Sequence, residues 1–536
     1  MQNDNDPARD WSLSRRKLLI AGGTGAALLA AGCGSSGSTA TVGNTGAAAG
    51  ADGAGQAGTP KRGGTFRLGQ TGGSDTDTID GQKMLTNPDF ARCLALYEGL
   101  TELDPQGRVR NRLAESIEPN KDGSVWTIKV RPNVVCHDGK KFGAKDVLYS
   151  LKRIKAKKYS GAISFGPVDL NASRVRDDLT LEVKFHEPYV IFPEGLSTVQ
   201  QVMVPEGFDP RNPVGTGPFK YKSFTPGVES TFVRHDHYWG EGKPYIDTLI
   251  INDIKDETAQ VNALQSGQVD AVTYLSSASI NAVKGSGANV IISKTGAWGP
   301  FMVSNKDAPF SDPRVRQAMR LVIDRPQMLE QVFGGEGSLG NDVWGVFDPA
   351  FAGHPLPQRK QDIEKAKALL KQAGHTSLQV ELITSNFAPG MQQAAEVLAA
   401  QAKAAGINIK VTFQDGTRYF GVSYLKVPFT QDYWPTQPYL VASQQAVVTG
   451  APFNGTFQHS LKYDRIYNEA VRTLDDNKRY ELMRELRQYD YDEGGYIIPY
   501  LFPNVDAVSS KVKGVRTSVT GVGLNTFDWA NIWMES

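Results

Sequence analysis

The amino-acid sequence predicts an α/β fold, and residues 378–413 carry the clearest signature. Residues 378–383 have the pattern of a strand. Residues 391–405 are rich in Ala and stop at Gly406, as a helix does, and residues 407–413 alternate apolar and polar side chains like a half-buried strand. A strand, a helix and a second strand in this order form a βαβ unit, which implies parallel strands and a right-handed crossover.

Two more helices are predicted upstream of this unit. Asp312 followed by Pro313 is typical of an N-cap and a first helical residue, and the apolar residues after them recur on one helical face. Residues 363–373 repeat this spacing and stop at Gly374. The α/β pattern therefore extends over at least residues 312–413.

Strand signals mark the beginning of the folded body. Residues 61–68 are predicted to form its first strand. Residues 124–130 alternate apolar and polar side chains after the turn signal at 120–123, which predicts a second, half-buried strand.

The first 33 residues predict export. Arg15 and Arg16 precede an apolar stretch, residues 18–31, that is shorter than the roughly 20 residues a transmembrane helix needs. Residues 1–32 are therefore predicted to be a signal peptide of the twin-arginine, lipoprotein type, although an ordinary secretory leader also fits the arginine pair. Cys33 would receive lipid and anchor the protein to the membrane, since two or more acyl chains give stable anchoring.

Residues 33–60 are predicted to be a flexible linker. From residue 34 onward this stretch is almost wholly Gly, Ala, Ser and Thr, and Asp52 is its only charge before Lys61. A coil of this length spans about 30 Å, which lets the folded body stand clear of a membrane.

Composition excludes several classes of function. A net charge of +1 without a concentrated basic run argues against a nucleic-acid partner. The histidines are scattered and no Cys-x-x-Cys occurs, so we predict no metal site and no cofactor. Cys93 and Cys136, the only cysteines after Cys33, are compatible with either a disulfide or two buried thiols.

The sequence also argues against an enzyme. It contains neither a Gly-x-Ser-x-Gly nucleophile elbow nor a His-Glu-x-x-His helix, and it has no phosphate loop of the ATP-hydrolysing type.

The order of motifs resembles the solute-binding proteins of ABC importers, in particular the family of dipeptide- and oligopeptide-binding proteins. The resemblance covers residues 63–533, and many modest motifs in the right order make it specific. The motifs that carry it are at residues 96–100, 103–107, 113–116, 131–139, 145–151, 213–219, 238–239, 264–270 and 315–318.

This resemblance implies a type II periplasmic-binding-protein fold, a clamp of two lobes that closes on its ligand. Lobe I would comprise residues 61–298 and 507–536, with an extra subdomain, and lobe II residues 299–506. The partners implied are a small solute, most simply an oligopeptide, and an ABC permease with its ATPase. A non-peptide solute such as a sugar, a polyamine or an opine is an alternative, as is a surface receptor without import. We expect an extracytoplasmic, lipid-anchored monomer.

The resemblance also indicates where the ligand would bind. In peptide-binding members, a lobe II loop with an aromatic residue, an aspartate and a proline holds the ligand's amino terminus. Counting back from Pro438, Trp434 occupies the aspartate position here, and Asp432 lies two residues earlier.

Trp434 and Tyr433 could stack on a sugar, an aromatic ring or a quaternary cation, and Asp432 could pair with an amine. That both aromatic residues belong to the core remains an alternative. Arg418, which could clamp a carboxylate, completes the lobe II candidates. Further candidates around the cleft are Asp75, Trp298 and Trp344.

Overall fold

Three β-sheets of four or more strands organise residues 58–535, the part of the chain that this computed structural model describes. The largest has eight strands and is built around Thr65–Gln70, which runs parallel to Thr248–Asp253 on one side and Ala271–Val272 on the other. The predicted first strand is thus confirmed, beginning at Thr65. The strands of this large sheet, in spatial order, are Asn289–Trp298, Tyr500–Val508, Ala271–Val272, Thr65–Gln70, Thr248–Asp253, Glu229–Arg234 and Phe219–Thr225, with Ser338–Leu339 also paired to Tyr500–Val508.

The predicted βαβ unit is confirmed in a five-stranded small sheet. Leu378–Thr384 and Ile407–Phe413 are parallel neighbours, in register from Leu378 opposite Ile407 to Thr384 opposite Phe413. The helix Met391–Ala402 and a 3₁₀ turn, Lys403–Ala405, connect them. The strands of the small sheet, in spatial order, are Ile407–Phe413, Leu378–Thr384, Phe429–Gln431, Phe301–Val303 and Tyr496–Ile497.

A separate antiparallel sheet of four strands lies between the first two strands of the large sheet in sequence. Its second strand, Val125–Val130, confirms the alternating pattern, with Trp126 and Ile128 buried. In spatial order the strands are Ala114–Pro119, Val125–Val130, Thr180–Phe185 and Val168–Val175.

The predicted helices are present. Pro313–Leu321 begins after Asp312, whose carboxylate accepts a hydrogen bond from the Arg314 amide at 2.9 Å. Ile363–Gln372 ends before Gly374, which adopts a left-handed φ of 87°. The remaining α-helices are Asn87–Leu96, Ala144–Ala156, Phe192–Leu196, Glu257–Gln265, Ile280–Lys284, Arg325–Phe333, Gly416–Arg418, Tyr439–Ala446, Leu461–Ala470 and Asp476–Glu493. Shorter elements are the 3₁₀ turns Gly81–Lys83, Ser160–Phe165, Ser277–Ser279 and Pro349–Phe351, the π-helical turn Tyr419–Ser423, and the strand pairs Thr101–Leu103 with Val109–Asn111 and Val512–Lys513 with Trp533–Met534.

Apart from the short excursion of Ser338–Leu339, which pairs with Tyr500–Val508, the chain passes between the large and small sheets at two adjacent places. The strand that ends at Trp298 belongs to the large sheet, and Phe301 begins a strand of the small sheet. On the return, Ile497 is the last residue paired in the small sheet and Tyr500 the first in the large sheet. The return strand therefore joins the large sheet at Tyr500, before residue 507, where we expected lobe I to resume.

Cys93 and Cys136 are both buried, free thiols. The alternative of two buried thiols is therefore correct, and no disulfide joins these two residues. Burial raises the pKa of the Cys136 thiol to about 12 and also raises that of Cys93. Within residues 58–535, none of the helices combines the length and the apolar character needed to cross a bilayer.

Candidate ligand-binding site

A cavity of about 1170 Å³ lies between the large and small sheets. Residues 71–72, 255–258 and 525–528 line it from the side of the large sheet. Residues 386–390 and 435–437 line it from the side of the small sheet. Its size exceeds that of an ordinary small-molecule pocket, about 300–1,000 Å³, so it can enclose a ligand of several linked units.

The return strand supplies a polar side chain to this cavity. Asn504 lines it, although the residue is only 4% exposed. Asn504 donates a hydrogen bond from Nδ2 to Asp506 Oδ2 at 2.9 Å, and the same oxygen accepts the Leu524 amide at 2.8 Å. Burial raises the pKa of Asp506 to about 7. This carboxyl group thus connects the return strand to a backbone segment on the cavity wall.

That wall segment is a left-handed turn. Leu524, Asn525, Thr526 and Phe527 all have φ between 47° and 61°, a region that costs an L-residue roughly 1–2 kcal/mol. Besides Asp506, the Tyr274 hydroxyl holds the turn by accepting the Gly523 amide at 3.0 Å. Four strained residues in a row persist only where their surroundings fix them, and such segments cluster at ligand sites.

A buried carboxylate, Glu98, lies at another part of the cavity wall. Glu98 is 2% exposed and accepts hydrogen bonds from four side chains. The sequence patterns did not identify Glu98 as a residue of the cavity wall. The donors are Arg112 at 2.9 Å, Tyr238 at 2.7 Å, Trp239 at 2.9 Å and Thr216 at 3.1 Å. Three motifs of the resemblance, those around residues 98, 216 and 238–239, therefore meet at one carboxylate.

The motif around Thr216 also needs its glycines. A Cβ atom on Gly215 would lie 2.0 Å from the Leu96 carbonyl oxygen, and one on Gly217 would lie 2.5 Å from the Ala95 oxygen. A side chain at either position would therefore block the approach of this segment to the helix Asn87–Leu96.

Three of the predicted site residues form an aromatic column in the core. Trp298 stacks between Trp434 and Trp344, with ring centroids 5.5 and 5.2 Å apart, and Trp344 stacks in turn on Tyr439 at 5.5 Å. Trp298, Trp344 and Trp434 are at most 1% exposed, and none of the three lines the cavity. In this arrangement the three tryptophans pack on the side away from the cavity, where they stabilise the loop that contains Trp434 and the first chain crossing at Trp298.

Tyr433, the neighbour of Trp434, is placed differently. Its side chain lines the cavity and packs on Phe502 with ring centroids 5.1 Å apart. Burial raises the pKa of its hydroxyl to about 12, so the group is neutral and can donate or accept a hydrogen bond.

Asp432 is 1% exposed and does not line the cavity. Its carboxylate accepts hydrogen bonds from the Tyr424 hydroxyl at 2.7 Å and from the Tyr433 amide at 2.8 Å. Asp75 and Arg418 are exposed and also lie outside the cavity lining. Of the seven predicted site residues, the structure thus places Tyr433 alone on the cavity wall, and a binding role for any of them stays a prediction.

Two sheet-centred halves, two adjacent crossings and a ligand-sized cavity between the halves are the features of a two-lobed solute-binding protein. A family model agrees: the chain belongs to the bacterial extracellular solute-binding proteins, family 5 Middle, which it matches over residues 108–447. Proteins of this family are extracellular receptors that bind solutes.

Curated relatives extend the match. The chain is 24% identical to the glutathione-binding protein GsiB of Pectobacterium atrosepticum over 78% of this chain and 85% of that protein. It is 26% identical to the periplasmic oligopeptide-binding protein OppA of Salmonella typhimurium, over 83% and 89% respectively. Among solved structures, the ABC transporter substrate-binding protein CtaP of Listeria monocytogenes superposes with a TM-score of 0.78 at 20% identity, covering 89% of this chain and 100% of that one. The structural match confirms the predicted two-lobed fold.

Proposed function

We propose that this protein captures a short peptide in the cavity between its lobes and delivers it to an ABC importer. The observation that carries the proposal is the cavity of about 1170 Å³, which is lined by strand residues of the large sheet on one side and by loops next to the small sheet on the other, and which adjoins the two chain crossings. Family membership and the similarity to an oligopeptide-binding relative support the same ligand class.

The sheet pairing supports a small change in the expected lobe boundaries. Lobe II would extend from residue 299 to about 499, and lobe I would comprise residues 61–298 and 500–536, because Tyr500–Val508 pairs within the large sheet. The antiparallel sheet of residues 114–185 would be the core of the extra subdomain in lobe I. Residues 299–300 and 498–499 would then be the hinge.

Closure about this hinge would be driven by the ligand. Only a closed clamp allows both lobes to contact the same molecule, so ligand favours the closed state. Converting a mostly open receptor to a mostly closed one requires the closed form to bind about 10⁴-fold more tightly, or roughly 5.5 kcal/mol. The permease would recognise this closed form.

A lipid on Cys33 would keep the receptor beside its permease. The leader and the linker support this proposal through their sequence alone, since residues 1–57 lie outside the described residues. Replacing Cys33 with serine should release the mature protein from the membrane fraction, and unchanged sedimentation of the Cys33→Ser protein with membranes would contradict the anchor.

Thermal unfolding with a ligand panel tests the peptide assignment. Di- to pentapeptides, sugars, polyamines and opines are added separately to protein purified without denaturation, after native mass spectrometry has identified any retained ligand. A specific peptide should stabilise the protein by about 2.7 kcal/mol at a hundredfold excess over its Kd. If a sugar, a polyamine or an opine raises the Tm while peptides leave it unchanged, the peptide assignment is wrong and the binding fold stands.

A pair of tyrosine variants locates the site. Tyr433→Ala removes a ring from the cavity wall and should reduce the ligand-induced rise in Tm. Tyr245→Ala is the matched control, because Tyr245 is also half-buried but does not line the cavity. Equal ligand-induced shifts in the two variants would remove Tyr433 from the site.

A further inference from the structure

The side chain of Asn504 has a hydrogen-bond acceptor that the described protein does not use. Its Oδ1 atom is buried and has no hydrogen-bond partner among residues 58–535, although the residue lines the cavity. Leaving a buried acceptor unsatisfied is unfavourable, so such an atom calls for an explanation.

The neighbouring carboxylate fixes which end of the amide faces away from it. Asp506 Oδ2 accepts hydrogen bonds, and only the Nδ2 end of Asn504 can donate one to it. Rotating the amide by 180° would place Oδ1 against a carboxylate oxygen and break this bond. The unused atom is therefore the acceptor Oδ1, and the complementary group is a donor.

Within residues 58–535 no group of the neighbouring strands bonds to Asn504 Oδ1, and the adjacent Asp506 Oδ1 is likewise buried without a hydrogen-bond partner. Asn504 pairs across the sheet with Ser293, whose hydroxyl accepts the Ser518 amide at 3.1 Å. Residues two apart on a strand point to the same face, so Asn504 and Asp506 act from one side of the sheet. On that side, Asp506 also holds the left-handed turn through the Leu524 amide.

We propose that Asn504 Oδ1 accepts a hydrogen bond from a backbone N–H of the bound peptide, and that the left-handed turn Leu524–Phe527 forms the adjoining wall. This inference rests on the proposed peptide-binding function. An ionised carboxylate of the ligand cannot take this place, because it has no proton to donate, whereas each non-proline residue of a peptide carries one backbone N–H. Asp506 is a positioning residue, since it orients the Asn504 amide and holds the turn.

A coupling experiment between protein and ligand tests the proposal. The alanine peptides from dialanine to pentaalanine are titrated calorimetrically, and the one that binds most tightly is synthesised with each backbone nitrogen methylated in turn. In the wild-type protein, methylation at one position should weaken binding by about 10–100-fold, the effect of losing one buried hydrogen bond. Asn504→Leu should weaken the unmodified peptide by a similar factor.

The decisive result is whether the losses of affinity caused by N-methylation of the peptide and by Asn504→Leu add up. The proposal expects that they do not. In Asn504→Leu, methylation at that position should cost no more than about threefold, because the acceptor is already absent. Full additivity at every position would mean that Asn504 does not contact a peptide N–H, and the proposal would fall even if the variant bound weakly. Equal binding of the unmodified peptide by both proteins would overturn it as well.

Two controls keep these outcomes distinct. Asn504→Ala, tested in the same cycle, replaces Asn504→Leu if the larger side chain prevents folding, which the Tm of the ligand-free protein reports. If the wild-type protein binds none of the alanine peptides and no other peptide of the thermal panel, the proposed function and this inference fail together. If the wild-type protein binds a peptide and the cycle is additive, the inference alone fails.

Discussion

At the scale of single residues, burial separates neighbours that look equivalent in the sequence. Tyr433 reaches the cavity, whereas Trp434 faces the core and exchanges two backbone hydrogen bonds of 2.9 Å with Trp298. Adjacent side chains in an extended segment point to opposite sides, so one can meet ligand while the next supports it. The aspartate expected at Trp434 from the resemblance is thus replaced by a core residue.

Truncating Trp434 should therefore destabilise the whole protein. Trp434→Ala removes the end of a stacked column at 0% exposure and should lower the free energy of unfolding by about 3–5 kcal/mol. Chemical denaturation of the ligand-free protein measures this change. Leu461→Ala is the control, because Leu461 is 78% exposed and its truncation should cost less than about 0.5 kcal/mol. A Trp434→Ala protein with wild-type stability and reduced ligand affinity would instead assign Trp434 to the binding site.

At the scale of secondary-structure elements, one aspartate stabilises the second chain crossing, where the chain passes from Ile497 in the small sheet to Tyr500 in the large sheet. Asp342 accepts the Ile498 amide at 2.9 Å, directly at the place where the chain leaves the small sheet. Arg325 and Arg359 bond the same carboxylate, at distances down to 2.7 and 2.8 Å respectively. Asp342, Arg325 and Arg359 come from separate segments of the chain, so their hydrogen bonds connect these segments to the backbone at Ile498.

Removing this charge should weaken the fold strongly at neutral pH. Asp342→Asn leaves buried guanidinium groups without their carboxylate and should cost about 3–5 kcal/mol of unfolding free energy. Asp312→Asn is the matched control: its Arg314 pair lies at the surface and asparagine also caps a helix, so the change should stay within about 1 kcal/mol.

The pH dependence checks the cause of this effect. Burial raises the pKa of Asp342, but the Arg325, Arg320 and Arg359 guanidinium groups lower it more, and the pKa lies below its ordinary value of 3.8. A carboxyl group with a lowered pKa stabilises the folded state above pH 3.8 and loses that contribution as the pH falls through the folded-state pKa. The stability gap between wild type and Asp342→Asn should therefore narrow in acid, and a constant gap would contradict the ionic explanation.

At the scale of the whole molecule, the charged side chains that line the cavity differ in how far the protein already engages them. Every carboxylate that lines the cavity already accepts a hydrogen bond from the protein. These residues are Glu98, Glu102, Asp104, Asp256, Glu257 and Asp528. Lys255 also lines the cavity and has no carboxylate oxygen within 4.0 Å in the described part of the chain.

Blocking the two ends of a bound peptide should therefore have unequal effects. Acetylating the amino terminus should change the Kd by less than about threefold, whereas amidating the carboxyl terminus should weaken binding by about fivefold, the effect of one solvent-exposed ion pair. Calorimetry with the four forms of one peptide measures both effects. In Lys255→Met the cost of amidation should disappear. A large loss on acetylation would show that a protein carboxylate does pair with the ligand's amine.

Local patterns predicted the regular elements well. The βαβ unit, the cap at Asp312 and the strand near residue 65 depend on periodicity and on neighbouring residues, which the sequence displays directly. The side-chain directions in the lobe II loop were harder to predict from the sequence. A shift of one residue along an extended chain turns a side chain from the cavity to the core, as Tyr433 and Trp434 show.

The cavity itself depends on residues that are far apart in the chain. Asn504, Asp506, Tyr274 and Leu524 carry no motif, and their meeting results from the antiparallel pairing of the return strand with Asn289–Trp298 and Ala271–Val272. The same holds for Glu98, whose donors lie 14 to 141 residues away.

The class of fold, the family resemblance and the order of the elements follow from local periodicity and from motifs along the chain, so they could be predicted without a structure. Which side chains face the ligand cavity depends on the tertiary contacts. Burial and hydrogen bonding are properties of contacts between distant segments, and they placed Trp434 in the core and Asn504 on the cavity wall.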